Sequence, residues 1–466
     1  MESYAEEFAL NFSSSTLAPE RFIYTPPLPA SPAEFFDWTL KNGCAKINRI
    51  SELCHSFTYE YYRESGECYD LVVPAEIDGY PVSSVILEYG RYCCDSQPIL
   101  GSIAFANGFR KLDYLSLPRD VNLHRITFPA SLDVDEFYCD SPLEAFVVAP
   151  ENPYLRSIDG VLFSADGNTL IRCPVTRYGV YTIPDGVADV AYDAFSQCDL
   201  LTKIVFPPCF NAELNRACFP NESLVIAGVF DSSVEEAARK YRFPFEATPN
   251  PASDFDWRPD ANGGIAILRF RNPNARGVFV PAEIAGRPVT RIGKRAFADS
   301  QALQTVILSE NLRLVDRAAF AGCVALTSAT LPDGLLTIGQ NAFCDCSSLT
   351  SIATPASVAT IGPSAFSGCS ALTDATLSPG LLTVGAGAFY GCSALRSLEF
   401  PDGFATLGSR AFKNAAALTN VVFPASVKEI DDDVFDGCPD DLTVYAPSGS
   451  VAEKTAVAQR RHFQTR

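Results

Sequence analysis

The chain has 466 residues, 47% hydrophobic and 20% charged, a length and composition that suit a well-packed protein of two to four domains. Its 36 Lys and Arg against 55 Asp and Glu give a net charge of −19, which argues against nucleic acid or an anionic membrane as partner, since both need a basic footprint. There is also no 18-residue apolar run of the kind that spans a bilayer.

Residues 1–33 hold Pro26, Pro27, Pro29 and Pro32 and show no periodicity, which predicts a loosely docked N-terminal arm. Beyond it the chain says some things twice. Phe36-Asp37-Trp38 returns as Phe255-Asp256-Trp257 and contains both tryptophans. After an irregular stretch each is followed by nearly one phrase, Val73-Pro74-Ala75-Glu76-Ile77 with Gly79, Pro81 and Val82, and Val280-Pro281-Ala282-Glu283-Ile284 with Gly286, Pro288 and Val289. A shared opening predicts internal duplication. The expected organisation is a first lobe at 34–247, a linker at 248–254 and a second lobe at 255–466.

In the first lobe Phe105, Leu112 and Leu117 read as a loose copy of a repeat, and Asn152 to Phe163 reads as an inserted strand and hairpin. Ala194-Phe195 with Cys198, Leu201 and Phe206 is a clearer copy. Ser233-Val234-Glu235-Glu236 and Ser450-Val451-Ala452-Glu453 match the capping box, in which a serine and a glutamate three residues on satisfy N–H groups at a helix start. Each is expected to open a helix that seals its lobe. The lobes differ in charge. Residues 1–254 hold 18 basic and 36 acidic side chains, and 255–466 hold 18 and 19.

The second lobe carries the strongest signal. Phe297, Phe320, Phe343, Phe366, Phe389, Phe412 and Phe435 recur every 23 residues, the mark of a solenoid whose units bury their apolar faces against each other. Six residues after each of the first six comes a leucine (Leu303, Leu326, Leu349, Leu372, Leu395, Leu418), opening an L-x-x-Φ-x-Φ strand that Pro332, Pro355, Pro379, Pro401 or Pro424 ends. A second short strand closes on Ile292, Val315, Ile338, Ile361, Val384, Leu407 or Ile430. The next residue is Gly293, Asp316, Gly339, Gly362, Gly385, Gly408 or Asp431, which predicts a left-handed corner there. A short helical turn then carries the phenylalanine. The predicted fold class is an α/β repeat solenoid of 23-residue coils, each made of strand, short strand and helical turn, in two tandem lobes.

The A-F-x-x-C-x-x-L phrase (Ala319-Phe320-Ala321-Gly322-Cys323-Val324-Ala325-Leu326), the preceding I-G, the V-P-A-E-I opening, the hairpin at Asp159 to Phe163 and the closing S-x-x-E helices resemble the BspA-like leucine-rich repeat family over residues 34–466. The resemblance implies a right-handed superhelix and a non-enzymatic, protein-binding role, most often on bacterial surfaces in adhesion or host contact. It brings no catalytic residues. The segment Met1 to Phe8 is acidic and lacks the basic and apolar regions of an export signal, so the sequence by itself points to the cytoplasm and the resemblance to the cell surface or secretion. An intracellular scaffold or effector is therefore the alternative reading.

Because strand side chains alternate, the variable strand positions face solvent: Gln304, Thr305, Thr327, Ser328, Thr330, Thr350, Ser351, Thr373, Asp374, Thr376, Arg396, Ser397, Glu399, Thr419 and Asn420. They form the candidate binding face, rich in hydroxyls and suited to a protein or glycan ligand. Thr337, Thr360, Thr383 and Thr406 make a second row. A monomer is expected, with no cofactor and no metal.

Cys198, Cys323, Cys346, Cys369, Cys392 and Cys438 all lie three residues after the repeat phenylalanine, where Ser300 and Ala415 also occur. A slot shared by Cys, Ser and Ala predicts small buried thiols that pack as hydrophobes. Cys344-Asp345-Cys346 and Cys93-Cys94 are the places to seek a bridge or a metal. His55, His124 and His462 are scattered, and none of the common catalytic motifs is present. The irregular segment 38–72 is the remote place for an enzyme. Gly385-Ala386-Gly387 with Gly391 has the wrong spacing for a dinucleotide loop, and Asp431-Asp432-Asp433 reads as a solvated corner.

Overall fold

The computed structural model describes residues 33–466 apart from 43, 52–53, 55–68, 87–99, 110, 113, 118–122, 135–136, 140 and 261. The described residues form two compact units: those up to Ala227 with Glu236–Phe245, and Gly228–Glu235 with Glu246–Arg466. The N-terminal arm, except Ala33, much of segment 38–72, His55 and Cys93-Cys94 lie outside the described residues.

The repeated opening folds twice into one local structure. Phe36–Lys41 pairs antiparallel with Cys44–Ile50, which runs parallel to Tyr80–Ile86. Phe255–Pro259 pairs with Ile265–Phe270 and the latter with Arg287–Ile292 in the same senses. Both hairpins carry a bulge at the same step, Asp37/Trp38 and Asp256/Trp257. Each bulge aspartate meets an arginine, Asp37 with Arg49 on the partner strand and Asp256 with Arg271, one residue past the end of its partner strand, at 2.8 Å.

From this opening the second unit grows by parallel pairing. Leu314–Val315, Thr337–Ile338, Thr360–Ile361, Thr383–Val384, Thr406–Leu407 and Glu429–Ile430 align residue for residue in one ten-stranded sheet. The L-x-x-Φ-x-Φ strands form the other side in three shorter sheets: Gly277–Phe279 with Thr305–Ile307 and Ser328–Thr330, Ser351–Ala353 with Asp374–Thr376, and Ser397–Glu399 with Asn420–Val422, Thr443–Ala446 and His462–Thr465. Between the sheets the seven phenylalanine rings stack in one column. Centroids are 4.8 Å apart at Phe297 and Phe320, 5.1 Å at Phe320 and Phe343, 5.5 Å for the next two pairs, then 5.7 and 6.0 Å, with planes within 18° of each other. Each ring is buried, which contributes roughly 1.5–3 kcal/mol from area alone.

The third side of each coil is a run of turns with an alternating hydrogen-bond pattern, in place of the helical turn expected. Ala318, Phe320 and Gly322 donate their N–H groups to the next coil, at the carbonyls of Gln340, Ala342 and Cys344, all at 2.8 Å. Ala319, Ala321 and Cys323 between them donate locally to Asp316, Ala318 and Phe320 at 3.2–3.3 Å. The local bonds turn the chain and the others zip it to its neighbour.

This pattern corrects the expected corner. The glycine row Gly293, Gly339, Gly362, Gly385, Gly408 is absent from the left-handed positions, which fall instead two residues before the first six phenylalanines (Arg295, Ala318, Asn341, Ser364, Gly387, Arg410) and two after all seven (Asp299, Gly322, Asp345, Gly368, Gly391, Asn414, Gly437). The glycine row is needed for closeness. A Cβ on Gly362 would lie 2.7 Å from the Gly339 carbonyl carbon and 2.8 Å from the Gln340 nitrogen. In this row glycine answers to sterics and not to left-handed backbone.

In the first unit the hairpin Leu155–Ile158 with Val161–Ser164 forms as expected, turning on Asp159 and Gly160 with φ of 49° and 75°. Phe195 sits in the repeat register, with Cys198 N–H on its carbonyl at 3.0 Å. Phe105 does not occupy the repeat slot: it ends the strand Leu100–Phe105 and stacks on Phe128 at 5.8 Å. Its place matches Phe400, which directly follows the strand Ser397–Glu399 and stacks on Phe423 at 4.9 Å. Both kinds of phenylalanine precede a leucine at similar spacing, which is why the sequence confuses them.

Two α-helices appear among the described residues, Ser233–Tyr241 and Val451–Ala458. Ser450 caps the second, accepting from Glu453 N–H at 3.2 Å, while the Glu453 carboxylate receives the Gly449 N–H. The first cap is one residue earlier than expected. Ser232 Oγ accepts from Glu235 N–H at 3.4 Å and Glu235 receives the Asp231 N–H at 2.6 Å, so the box is Ser232 to Glu235. After the second helix, Gln459 ends the zipper. The Phe435 N–H, which in other coils reaches the next main chain, donates to Gln459 Oε1 at 3.0 Å, and Arg461 donates to the carbonyls of Pro439 and Phe435 at 2.8 and 2.9 Å.

Candidate binding face

The outward side of the L-x-x-Φ-x-Φ strands is built by register. Thr305 pairs with Ser328, Ser351 with Asp374, and Ser397 with Asn420 and then Thr443, giving one column of side chains that point away from the core. Two residues on, Ile307, Thr330, Ala353, Thr376, Glu399 and Val422 form a second. Gln304, Thr327, Thr350, Thr373, Arg396 and Thr419 lie at the head of the strands. All fifteen candidate residues of the face are exposed or half-buried.

Their hydroxyls are not equally available. Thr327 Oγ1 donates to the Gln304 carbonyl at 3.0 Å, Thr373 to Thr350 at 3.1 Å and Thr419 to Arg396 at 3.1 Å. These threonines hold adjacent coils together, so they offer a ligand lone pairs in place of a proton. The second row, Thr337, Thr360, Thr383 and Thr406, is half-buried on the ten-stranded sheet.

The face deepens toward its C-terminal end into a groove of about 750 Å³. Asp374, Thr376, Ser397 and Glu399 from the expected face line it, together with Phe400 and Phe423. Pro379, Pro401 and Pro424, read in the sequence as strand stops, form part of its wall. Arg466 reaches over it to Glu399 at 2.6 Å. Both partners are more than half exposed, so this ion pair contributes under about 1 kcal/mol and yields readily to a competing ligand. Sequence reasoning missed Phe400, Phe423, Asp402 and Arg466. The prolines recurring after the strand were the available signal for the wall; nothing announced an arginine 67 residues from its glutamate.

The repeat cysteines serve the interior. Cys323, Cys346, Cys369 and Cys392 each donate S–H to the carbonyl of the phenylalanine one coil back, at 3.2 Å, and Cys438 does so at 3.1 Å. Burial pushes the Cys323 and Cys392 thiols up to about 12 and Cys438 to about 11. A thiol whose pKa rises on folding stabilises the fold below its ordinary value of 9.0 and loses that contribution as pH climbs toward 12. The unfolding free energy measured by urea titration is therefore expected to fall between pH 9 and 11, by up to about 1.4 kcal/mol per pH unit for each such thiol. Cys323→Ala and Cys392→Ala together should flatten this decline; an unchanged slope in the double variant would refute the assignment.

The remaining polar features are accounted for locally. Cys344 Sγ contacts Asp345 Oδ2 at 3.3 Å while Cys346 turns to Phe320, so the two thiols do not act together. Asp433 is held below the usual carboxylate range by hydrogen bonds from Arg410. His124 lies 3.7 Å from Glu144, and His462 stands on the last strand. Gly385, Gly387 and Gly391 belong to the turn side of one coil. Among the described residues no group of three potential ligands could hold a metal, and no helix is long and apolar enough to cross a membrane.

Coils of 23 residues with leucine-led strands, a phenylalanine column and a zipped turn side define a leucine-rich-repeat solenoid. The repeats are of the BspA type: the model for the BspA type leucine rich repeat region matches in six copies, over residues 177–240, 282–378 and 314–441. A comparison with curated proteins finds no match. Among solved structures the chain is similar to the Treponema pallidum leucine rich repeat protein, 28% identical over 47% of this chain and 98% of that one, with a TM-score of 0.40. It is also similar to a leucine-rich repeat protein from Bacteroides ovatus (16%, 92% and 97%, TM-score 0.32) and to a leucine rich cell surface protein from Faecalibacterium prausnitzii (16%, 93% and 98%, TM-score 0.24).

Proposed function

We propose that this protein is a non-enzymatic binding module that holds a protein partner along the strand face of residues 304–423, with the groove at its C-terminal end as the anchor. The observation that carries the reading is the groove itself, lined by Asp374 and Glu399 together with Leu377, Pro379, Pro401, Pro424 and the edges of the core at Phe400 and Phe423. An apolar floor supplies area and the carboxylates at the rim supply orientation, the usual division of labour in a protein-binding patch. The setting we favour is the bacterial surface, in adhesion or contact with a host; an intracellular scaffold using the same face is the second reading, and a glycan is the other ligand class.

A photo-crosslinking residue placed at Ser397 in the full-length chain, in its native cells, is expected to give one discrete protein adduct. The same probe at Gln340, on the turn side, should give none, and Asp374→Arg with Glu399→Arg should reduce the Ser397 adduct at least tenfold. Equal labelling from both positions, or an adduct indifferent to the charge reversals, would sink the proposal. Fractionating the same cells separates the surface reading from the intracellular one.

A further inference from the structure

Among the described residues that line the groove, the carboxylates of Asp374, Glu399 and Asp402 face a single cation, Arg466. The excess is local, because residues 255–466 as a whole hold 18 basic and 19 acidic side chains. Glu399 takes the Arg466 guanidinium at 2.6 Å. The carboxylates of Asp374 and Asp402 are exposed and, among the described residues, have no ion-pair or hydrogen-bond partner. Two hydroxyls of the lining are unspent as well: Thr376 and Ser397 make none of the bonds that tie Thr327, Thr373 and Thr419 to the preceding coil. Arg466 can leave without disturbing the strand behind it. Its main-chain N–H is fixed on the Ala446 carbonyl at 3.1 Å, where the pairing of His462–Thr465 with Thr443–Ala446 ends, and only the side chain crosses to Glu399.

We propose that the groove takes an arginine side chain of the partner protein, and that Arg466 is its internal stand-in, displaced when the partner docks. This rests on the protein-binding reading of the strand face and adds to it the chemistry of the contact. A guanidinium is planar and always charged, so it meets a carboxylate along its edge while its face lies on the apolar rings of the proline wall. An ammonium offers only a point charge that holds its water more strongly. The incoming arginine replaces the Arg466 contact with Glu399 and gains Asp374 or Asp402, which the stand-in leaves unused. An apolar occupant would bury those carboxylates without partners, which opposes its docking.

The test uses the full-length chain and four pools of fluorescein-labelled nonapeptides, random except for a central arginine, citrulline, lysine or leucine. Citrulline keeps the shape of arginine and removes its charge. At low ionic strength we expect the arginine pool to bind about tenfold tighter than the citrulline and leucine pools, with lysine between them. Arg466→Ala should tighten the arginine pool by roughly two- to fivefold, the effect of removing a weak exposed competitor, and leave the citrulline pool unchanged. Glu399→Gln should weaken the arginine pool by about fivefold. Both substitutions change exposed side chains, and unaltered circular dichroism checks that the fold is kept. Equal binding of arginine and citrulline pools, a preference for leucine, or indifference to Arg466→Ala would overturn the proposal. A discrete Ser397 adduct without arginine preference defeats this inference alone. Arginine preference without that adduct defeats the protein partner and keeps the arginine site.

Discussion

Phe343→Ala is expected to cost about 3–5 kcal/mol of stability, the range for removing a fully buried aromatic ring. The ring lies mid-column, 5.1 Å from Phe320 and 5.5 Å from Phe366, with no solvent exposure. In a stack where each coil touches only its neighbours, the loss falls on one junction and no distant contact compensates. Urea unfolding followed by circular dichroism should show a lowered midpoint and a broadened transition, as the coils on either side of the gap part company. Phe343→Leu should retain more than half of the lost stability, because it keeps most of the volume. A loss below about 1 kcal/mol for the alanine variant would mean that the ring column is not what holds the coils together.

Gly362→Ala should be nearly as damaging, about 3 kcal/mol, although it adds a single methyl group. The new carbon would press on the Gly339 carbonyl carbon at 2.7 Å and the Gln340 nitrogen at 2.8 Å, main-chain atoms of the preceding coil whose turn is fixed by the Ala342 N–H on the Gly339 carbonyl at 3.2 Å. Gly403→Ala is the informative control. Gly403 has φ of 94° but open space around its missing side chain, so alanine there meets only the backbone penalty, roughly 1–2 kcal/mol. If thermal melts rank the two variants the other way, backbone conformation governs the glycine row and the sequence-based reading was right after all.

The solenoid was legible because its determinants are local and repeated. A 23-residue period survives any single substitution, and the apolar columns it implies were found where the leucines and phenylalanines put them. What stayed illegible is what one residue type does for two different reasons. Glycine answers both to positive φ and to close approach, and only coordinates separate Gly362 from Gly368. Phenylalanine fills both the turn column and the strand end, so Phe105 was read into the wrong one. The candidate face was half legible: alternation told which threonines leave the core, and it could not tell that Thr327, Thr373 and Thr419 bond the preceding coil. The groove drew on parts from several coils and from Arg466, and such convergence leaves no mark in a periodic pattern.

The alternating bonds of the turn side ask of a coil nothing but that it resemble the ones above and below. Adding or deleting 23 residues at any border of the array would therefore leave every surviving side chain on its own side. The length of the strand face is thus an evolvable quantity, free to change in whole steps by recombination within the gene, with Gln459 and Arg461 as the fixed lid under which new steps are slipped.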